Sequence, residues 1–236
     1  MLASELFKAI DKIAPPYLAL KNDKIGYLGP GIPEKMEIDK VQLRMDVFPW
    51  DDPFKCDSDI VVCHHPPLFE PDFPVYVVHS NWDIVSGGSN DALAECLNMW
   101  VLDVLDEKTG IGRICSTVTT IEKFIRVISR AISTDHINMI GNPRKIIKKV
   151  AVVSGFGLNN IEYMHLAYQN DVDVYLSGDL THQSAILAEK LGLCVIDATH
   201  HATEIPGLIK LCDSISKLGV KTEFVDGGVP WKTIKI

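Results

Sequence analysis

The sequence predicts a layered α/β protein in two lobes, and three observations carry that prediction. Short apolar runs bounded by turn residues recur along the chain, as the buried strands of a parallel sheet do. Stretches with helical spacing of apolar residues lie between them, so strand–helix–strand crossovers are expected. Histidine, aspartate and glutamate gather where apolar runs end, which in open α/β sheets is the edge at which ligands bind.

Taken in order, Leu6, Phe7, Ile10 and Ile13 give a helix over residues 4–13 that Pro15-Pro16 stops. Gly26, Gly29, Pro30, Gly31 and Pro33 punctuate an irregular stretch before Val41–Val47, which alternates as a strand. Asp59–Cys63 is a buried strand that Pro66-Pro67 forbids from continuing, and Val75–Val78 is a second short run. Gly87-Gly88 leads into a helix with Leu93, Leu97, Trp100, Val101 and Val104 on one face and Ser89 or Asn90 as its N-cap. At Gly110-Ile111-Gly112 the character of the chain changes, and a lobe boundary is expected there. Strands follow at Ile114–Val118, Ile137–Ile140, Val150–Val153, Val172–Leu176 and Leu193–Ile196. Helices are expected over Ile121–Ile132, through Ile161–Ala167, and over 183–191 with Gly192 as its cap. A helix over about 204–218 and a strand over Lys221–Val225 close the chain.

At 236 residues the chain can bury a sizeable core in one large domain or two small ones. Hydrophobic residues are 47% and charged residues 23%, ordinary for a soluble globular protein. A formal net charge of -8 argues against a generally basic nucleic-acid binder. No apolar stretch approaches the roughly 20 residues that span a bilayer. Met1–Lys8 carries Glu5 and has no apolar signal core, so a cytoplasmic location away from membranes is expected. Cysteines 56, 63, 96, 115, 194 and 212 form no Cys-x-x-Cys pair and read as reduced core residues.

Three strand ends carry metal-type ligands: His64-His65; Asp83, with His79 nearby; and His200, His201 and Glu204. Side chains alternate along a strand, so two adjacent histidines aimed at one place need a bent backbone. If a helix begins near Thr199, positions 200 and 204 lie one turn apart on one face, while His201 reaches Glu204 by the three-residue spacing. Spacing does not choose between them. A mixed set of imidazoles and carboxylates suits iron, zinc, manganese or nickel better than calcium or magnesium. With five such residues, one shared carboxylate lets two ions each have three protein ligands, roughly 3.5–4 Å apart, and paired ions that lower the pKa of water make hydrolysis the natural chemistry.

Several stretches then stand in order over nearly the whole chain. They are Ile60-Val61-Val62-Cys63-His64-His65-Pro66-Pro67-Leu68-Phe69, His79-Ser80-Asn81-Trp82-Asp83 and Gly87-Gly88-Ser89-Asn90-Asp91-Ala92-Leu93-Ala94. Ser154-Gly155-Phe156-Gly157, Ser177-Gly178-Asp179 with His182, and His200-His201-Ala202-Thr203-Glu204 complete them. Together they resemble the GTP cyclohydrolase I type 2-like proteins, also called the Ngg-one-interacting-factor-three-like family. The resemblance implies two interleaved strand-helix lobes, 1–110 with 200–236 and 111–199, with a dinuclear metal site in the cleft between them and a toroidal homohexamer. It implies two divalent ions, iron or zinc before manganese or nickel. His65 and Asp83 would hold one ion, His64 and His200 the other, and Glu204 would bridge them. The family's histidine lies four residues before the glutamate, which selects His200 over His201. His79 and His182 would be catalytic residues orienting ligand or water. Trp82 and Ser80 stand where the family usually has Leu and Thr, and the long inserted domain of some members is missing, along with any contact it supplies.

The expected activity is therefore that of a dinuclear-metal-dependent hydrolase acting on a purine nucleotide. Its specific form would be GTP cyclohydrolase-like, with a metal-bound hydroxide attacking the imidazole-ring carbon and His79 or His182 shuttling protons. Two alternatives stand beside it: a ring-shaped nucleic-acid-binding or scaffold protein with structural metals, and a hydrolase of another small cyclic amide or phosphoester. Arg144-Lys145 with Lys148-Lys149 is the only basic cluster, and a solvated turn before a strand is its simpler reading. Ser154-Gly155-Phe156-Gly157 could approach a phosphate, but tight packing is the commoner reason for such a turn.

Overall fold

The strands of the first sheet are too apolar to leave either face in water. Val41, Leu43, Ile60, Val61, Val62 and Cys63 are all buried. The structure, a computed structural model, describes residues 1–52, 58–232 and 234. It divides into two units, Met1–Trp82 with Leu208–Ile236 and Asp83–Gly207.

In the first unit, helix α1 (Ala3–Ile13) buries Ala3, Leu6, Phe7 and Ile10 at the expected spacing, and Phe7 stacks on Tyr76 with ring centroids 4.2 Å apart. The sheet comprises β1 (Gly26–Leu28), β2 (Lys40–Arg44), β3 (Ile60–Cys63), β4 (Val75–Val77) and β11 (Lys221–Phe224) in the order β1-β4-β3-β2-β11. β4, β3, β2 and β11 run parallel and β1 is antiparallel to β4. The carboxyl ends of β2, β3 and β4 therefore lie side by side, with Cys63 in register with Arg44 and Val77. The strand β1 falls in the stretch read as irregular, because three half-buried residues among glycines leave no alternating pattern.

The second unit begins within α2 (Ser80–Ile84) and ends within α7 (His200–Ser216). Between them lie α3 (Ser89–Cys96), β5 (Trp100–Val104), β6 (Arg113–Thr120), α4 (Ile121–Ala131), β7 (Asn138–Ile140) and β8 (Ile146–Val152). They are followed by α5 (Ile161–Gln169), β9 (Val174–Ser177), α6 (His182–Leu191) and β10 (Cys194–Asp197). The sheet order is β5-β6-β8-β9-β10-β7. Only β8, β9 and β10 are mutually parallel; β5, β6 and β7 are antiparallel to their neighbours, so the all-parallel expectation holds for the centre alone. Val150 and Val152 pack in one cluster with Leu93, Phe124 and Ile128, while Ala151 and Val153 pack in another with Met164 and Tyr175. The alternation along β8 thus buries both faces of the sheet.

Three expectations are corrected. The helix expected to run from Leu93 to Val104 ends at Cys96, because Asn98 takes a left-handed conformation at φ 55°, and Trp100–Val104 forms an exposed edge strand on β6. Its N-cap is Gly88; Ser89 and Asn90 lie inside the first turn and are buried. Leu93, Ala94 and Leu97 pack into the second sheet's core. The last helix also starts earlier than 204, at His200, and continues through Pro206. Among the described residues, cysteines 63, 96, 115, 194 and 212 are free thiols, Cys56 lies outside those residues, and no helix is long and apolar enough to cross a membrane.

Candidate metal centre

The first unit gathers imidazoles. Past the ends of adjacent parallel strands stand Asp46, His64-His65 and His79, and the chain bends at His64 and His65, so the two adjacent side chains serve one place. His64, His65 and His79 bring ligand atoms within 4.8 Å of one another. Ring centroids are 5.1 Å apart for His64–His65, 5.1 Å for His64–His79 and 5.6 Å for His65–His79. Nδ1 of His64 donates to the Val78 carbonyl at 2.9 Å, that of His65 to Asp46 at 2.8 Å and that of His79 to Asp23 at 2.8 Å. A hydrogen bond at Nδ1 fixes the tautomer and the ring plane and makes Nε2 the coordinating nitrogen.

Asp23 is itself held. It accepts from the Ser80 backbone N–H at 3.1 Å and from the Ser80 hydroxyl, which in turn accepts from Leu20 N–H at 2.9 Å. Burial works against its charge, but His79 and Ser80 outweigh burial and hold the carboxyl down at about 2. Asp23 is therefore a carboxylate throughout the neutral range.

The second unit gathers carboxylates around one imidazole. His200 opens α7, so Glu204 falls one turn later on the same face, and Nε2 of His200 lies 3.0 Å from Glu204 Oε1. Nδ1 of His200 lies 2.8 Å from Asp179 Oδ2. Asp179 and Thr199 both take left-handed backbone conformations, φ 64° and 70°, which residues with a Cβ rarely adopt. Burial opposes the charged ring of His200, yet Asp179 and Glu204 more than offset it and raise its pKa to about 10. In the metal-free chain His200 is thus an imidazolium between two carboxylates.

The glycines of this unit allow a close approach. A Cβ on Gly155, whose φ is 78°, would sit 2.3 Å from Glu204 Oε1, and one on Gly178 would sit 2.3 Å from the His200 backbone nitrogen. Ser154-Gly155-Phe156-Gly157 is accordingly a turn packed against Glu204, the tight-packing reading of that motif.

The remaining sequence candidates are placed as follows. Asp83 is buried in α2, with its backbone carbonyl accepting from Asn90 Nδ2 at 2.8 Å. His182 is exposed as the first residue of α6 and, like His201 and Asp83, belongs to no group of three ligand-type side chains among the described residues. In the basic cluster, Lys145 lies 3.6 Å from Asp173 and Lys149 donates to the Asn170 carbonyl at 2.6 Å, so half of it serves its own unit. The sequence reading missed Asp23, Asp46 and Asp179 as orienting groups. The donor chemistry fits a transition metal: anchored imidazoles with carboxylates are the set that zinc and iron take.

The family profile described as Duf34/NIF3 (NGG1p interacting factor 3) matches residues 71–227. The chain is 43% identical over 226 residues to the GTP cyclohydrolase 1 type 2 homolog of Methanothermobacter thermautotrophicus, covering 96% of this chain and 93% of that one. It is 35% identical over 236 residues to the protein of the same description from Methanocaldococcus jannaschii, covering 92% and 95%. Among solved structures, reduced HcgD from Methanocaldococcus jannaschii matches with a TM-score of 0.82 at 32% identity, over 95% of this chain and 97% of that chain. A Bacillus cereus protein related to NIF3 matches with a TM-score of 0.84 at 17% identity over 99% of both chains, a likeness of fold.

Proposed function

Because this chain belongs to the Duf34/NIF3 family, we propose that it is a dinuclear-metal-dependent hydrolase acting on a purine nucleotide, with GTP cyclohydrolase-like chemistry as its specific form. The observation that carries the reading is the anchoring of His64, His65 and His200 at Nδ1, since ligands so oriented serve a metal far better than they serve packing. In this reading His65 and Asp83 would hold one ion and His64 and His200 the other, with Glu204 as the shared carboxylate. Iron or zinc suits these donors first, manganese or nickel next. Two such ions, when bound, supply Lewis acidity and an activated water.

The chain's own residues do the rest. His79, with Nδ1–H donated to Asp23, presents Nε2 as a proton acceptor, so it takes the proton of a water adding to the imidazole-ring carbon of the purine. The same nitrogen returns that proton to the ring nitrogen of the hydrated C=N bond, and the remaining hydroxyl proton passes to the second ring nitrogen as its bond to that carbon breaks and a formamide forms. His182, exposed at the start of α6, is a second candidate for proton transfer. A homohexamer is the assembly in which this site is expected to work. The names of the curated relatives support the substrate class. Incubation of the metal-loaded protein with GTP, followed by loss of the purine absorbance, tests the reading. Turnover in wild type that falls on His79→Gln supports it, and intact GTP with a fully loaded protein contradicts the substrate assignment.

A further inference from the structure

We propose that Asn90 is a positioning residue for Asp83, and that the buried chain from Asn90 through Ser154 to Thr203 sets Asp83, His200 and Glu204 in one fixed arrangement. The inference rests on the reading of those three as metal ligands. Asn90 Nδ2 donates to the Asp83 carbonyl at 2.8 Å, and Asn90 Oδ1 accepts from Ser154 N–H at 2.8 Å. Ser154 Oγ donates to the Thr203 carbonyl at 3.1 Å; its single proton being spent there, Ser89 Oγ must be the donor in the 2.9 Å contact between the two hydroxyls. Thr203 Oγ1 accepts from Gly155 N–H at 2.9 Å, and its own proton is shared between the Thr199 and His200 carbonyls, each 2.9 Å away. The network therefore starts on the main chain of Asp83 and ends on the main chain of His200, with Glu204 the next residue after Thr203.

Its burial makes it demanding. Asn90, Ser154 and Thr203 are 0%, 1% and 0% exposed, and buried polar groups are costly unless every one is satisfied. Apolar side chains would fill such a space at lower risk, so the network is better explained by what its ends hold. Position 90 needs a donor and an acceptor on separate atoms of one short side chain, which the Asn amide provides. A second clamp acts on the same segment: Arg113, paired with Asp91 at 2.7 Å, donates to the Ile84 carbonyl at 3.1 Å. The first turn of α3 is also pressed against α7, since a Cβ on Gly207 would lie 2.4 Å from Ser89 Oγ.

The test is titration of the metal-stripped protein with Co(II), read by affinity and by the visible ligand-field band. Asn90→Asp keeps the acceptor, loses the donor and sets a carboxylate against the Asp83 carbonyl. It is expected to weaken Co(II) binding about 10- to 100-fold and to shift the band, as loss of groups that orient ligands does. Combined with Asp83→Ala, it should add little further loss. A lowered melting temperature with wild-type affinity and band in Asn90→Asp and Ser154→Ala, while Asp83→Ala weakens Co(II), overturns the positioning role and leaves the metal reading intact. Unchanged Co(II) binding in Asp83→Ala overturns the assignment of Asp83 as a ligand and the positioning role with it. Should Asn90→Asp fail to fold by near-ultraviolet circular dichroism, Ser154→Ala decides between the same results.

Discussion

In the first unit three adjacent parallel strands are followed by Asp46, His64-His65 and His79; in the second, three adjacent parallel strands are followed by Ser154-Gly155, Asp179 and His200. The topology is alike and the chemistry is not. The first unit offers three imidazoles, each anchored by a carbonyl or carboxylate, and the second offers one imidazole flanked by Asp179 and Glu204. Neutral nitrogen donors give a transition metal selectivity without charge, whereas carboxylates supply charge without selectivity. Each set lacks what the other has.

The comparison breaks most sharply at the ligands. His65→Ala and His200→Ala should each lower Co(II) affinity by more than about a hundredfold, beyond the range for groups that only orient ligands, while His201→Ala leaves it near wild type. Isothermal titration of the stripped proteins reads this, and an equal loss from His201→Ala would reverse the choice between the two histidines.

The orienting carboxylates come next. Asp46→Asn in one unit and Asp179→Asn in the other should each weaken metal binding about 10- to 100-fold with the fold unchanged by circular dichroism. A loss from Asp46→Asn alone would mean that the second unit contributes nothing to the metal.

Proton linkage separates the units by pH. In the metal-free chain His200, raised from 6.5 to about 10, contributes stability that is complete below pH 6.5 and is lost as pH rises through about 10. Asp23, lowered from 3.8 to about 2, contributes stability present above pH 3.8 and lost as pH falls through about 2. Denaturant melts across pH should therefore show an alkaline limb absent in His200→Gln and an acid limb reduced in Asp23→Asn. Metal uptake should release a proton from His200, measured by titration in buffers of different ionisation enthalpy.

The smallest effect belongs to a pair on the surface of α4. Arg126 and Glu122 lie 2.6 Å apart but are 70% and 58% exposed, so Arg126→Ala should cost no more than about 0.5 kcal/mol of stability. A larger cost would show that charge on this face does more than solvate it.

Much of this was legible in the sequence because proline, glycine and apolar runs mark strand ends directly. Ile60–Cys63 and Cys194–Asp197 sit within a residue of where their apolar residues put them, with His64 directly after the first and His200 three residues after the second. The family resemblance is equally plain in the chain. What escaped was anything fixed by distant pairing. His79 finds its carboxylate 56 residues away in Asp23, His65 finds Asp46 19 residues away, and His200 finds Asp179 21 residues away. A lone aspartate in a turn carries no local sign of such a role. The edge strand Trp100–Val104 was hidden because Leu97, Trp100, Val101 and Val104 happen to fall at helical spacing, and an exposed strand has no buried face to betray it. The expected start near 204 put Pro206 in the helix's first turn, where proline is tolerated, whereas α7 begins at His200 and carries Pro206 inside it.

The proposed dinuclear metal binding is read out by elemental analysis of metal per chain in wild type and Glu204→Ala. About two transition-metal ions per wild-type chain are expected, as paired sites require, with loss of metal on removing the Glu204 carboxylate. Wild type without bound transition metal, or Glu204→Ala with undiminished metal, would contradict it.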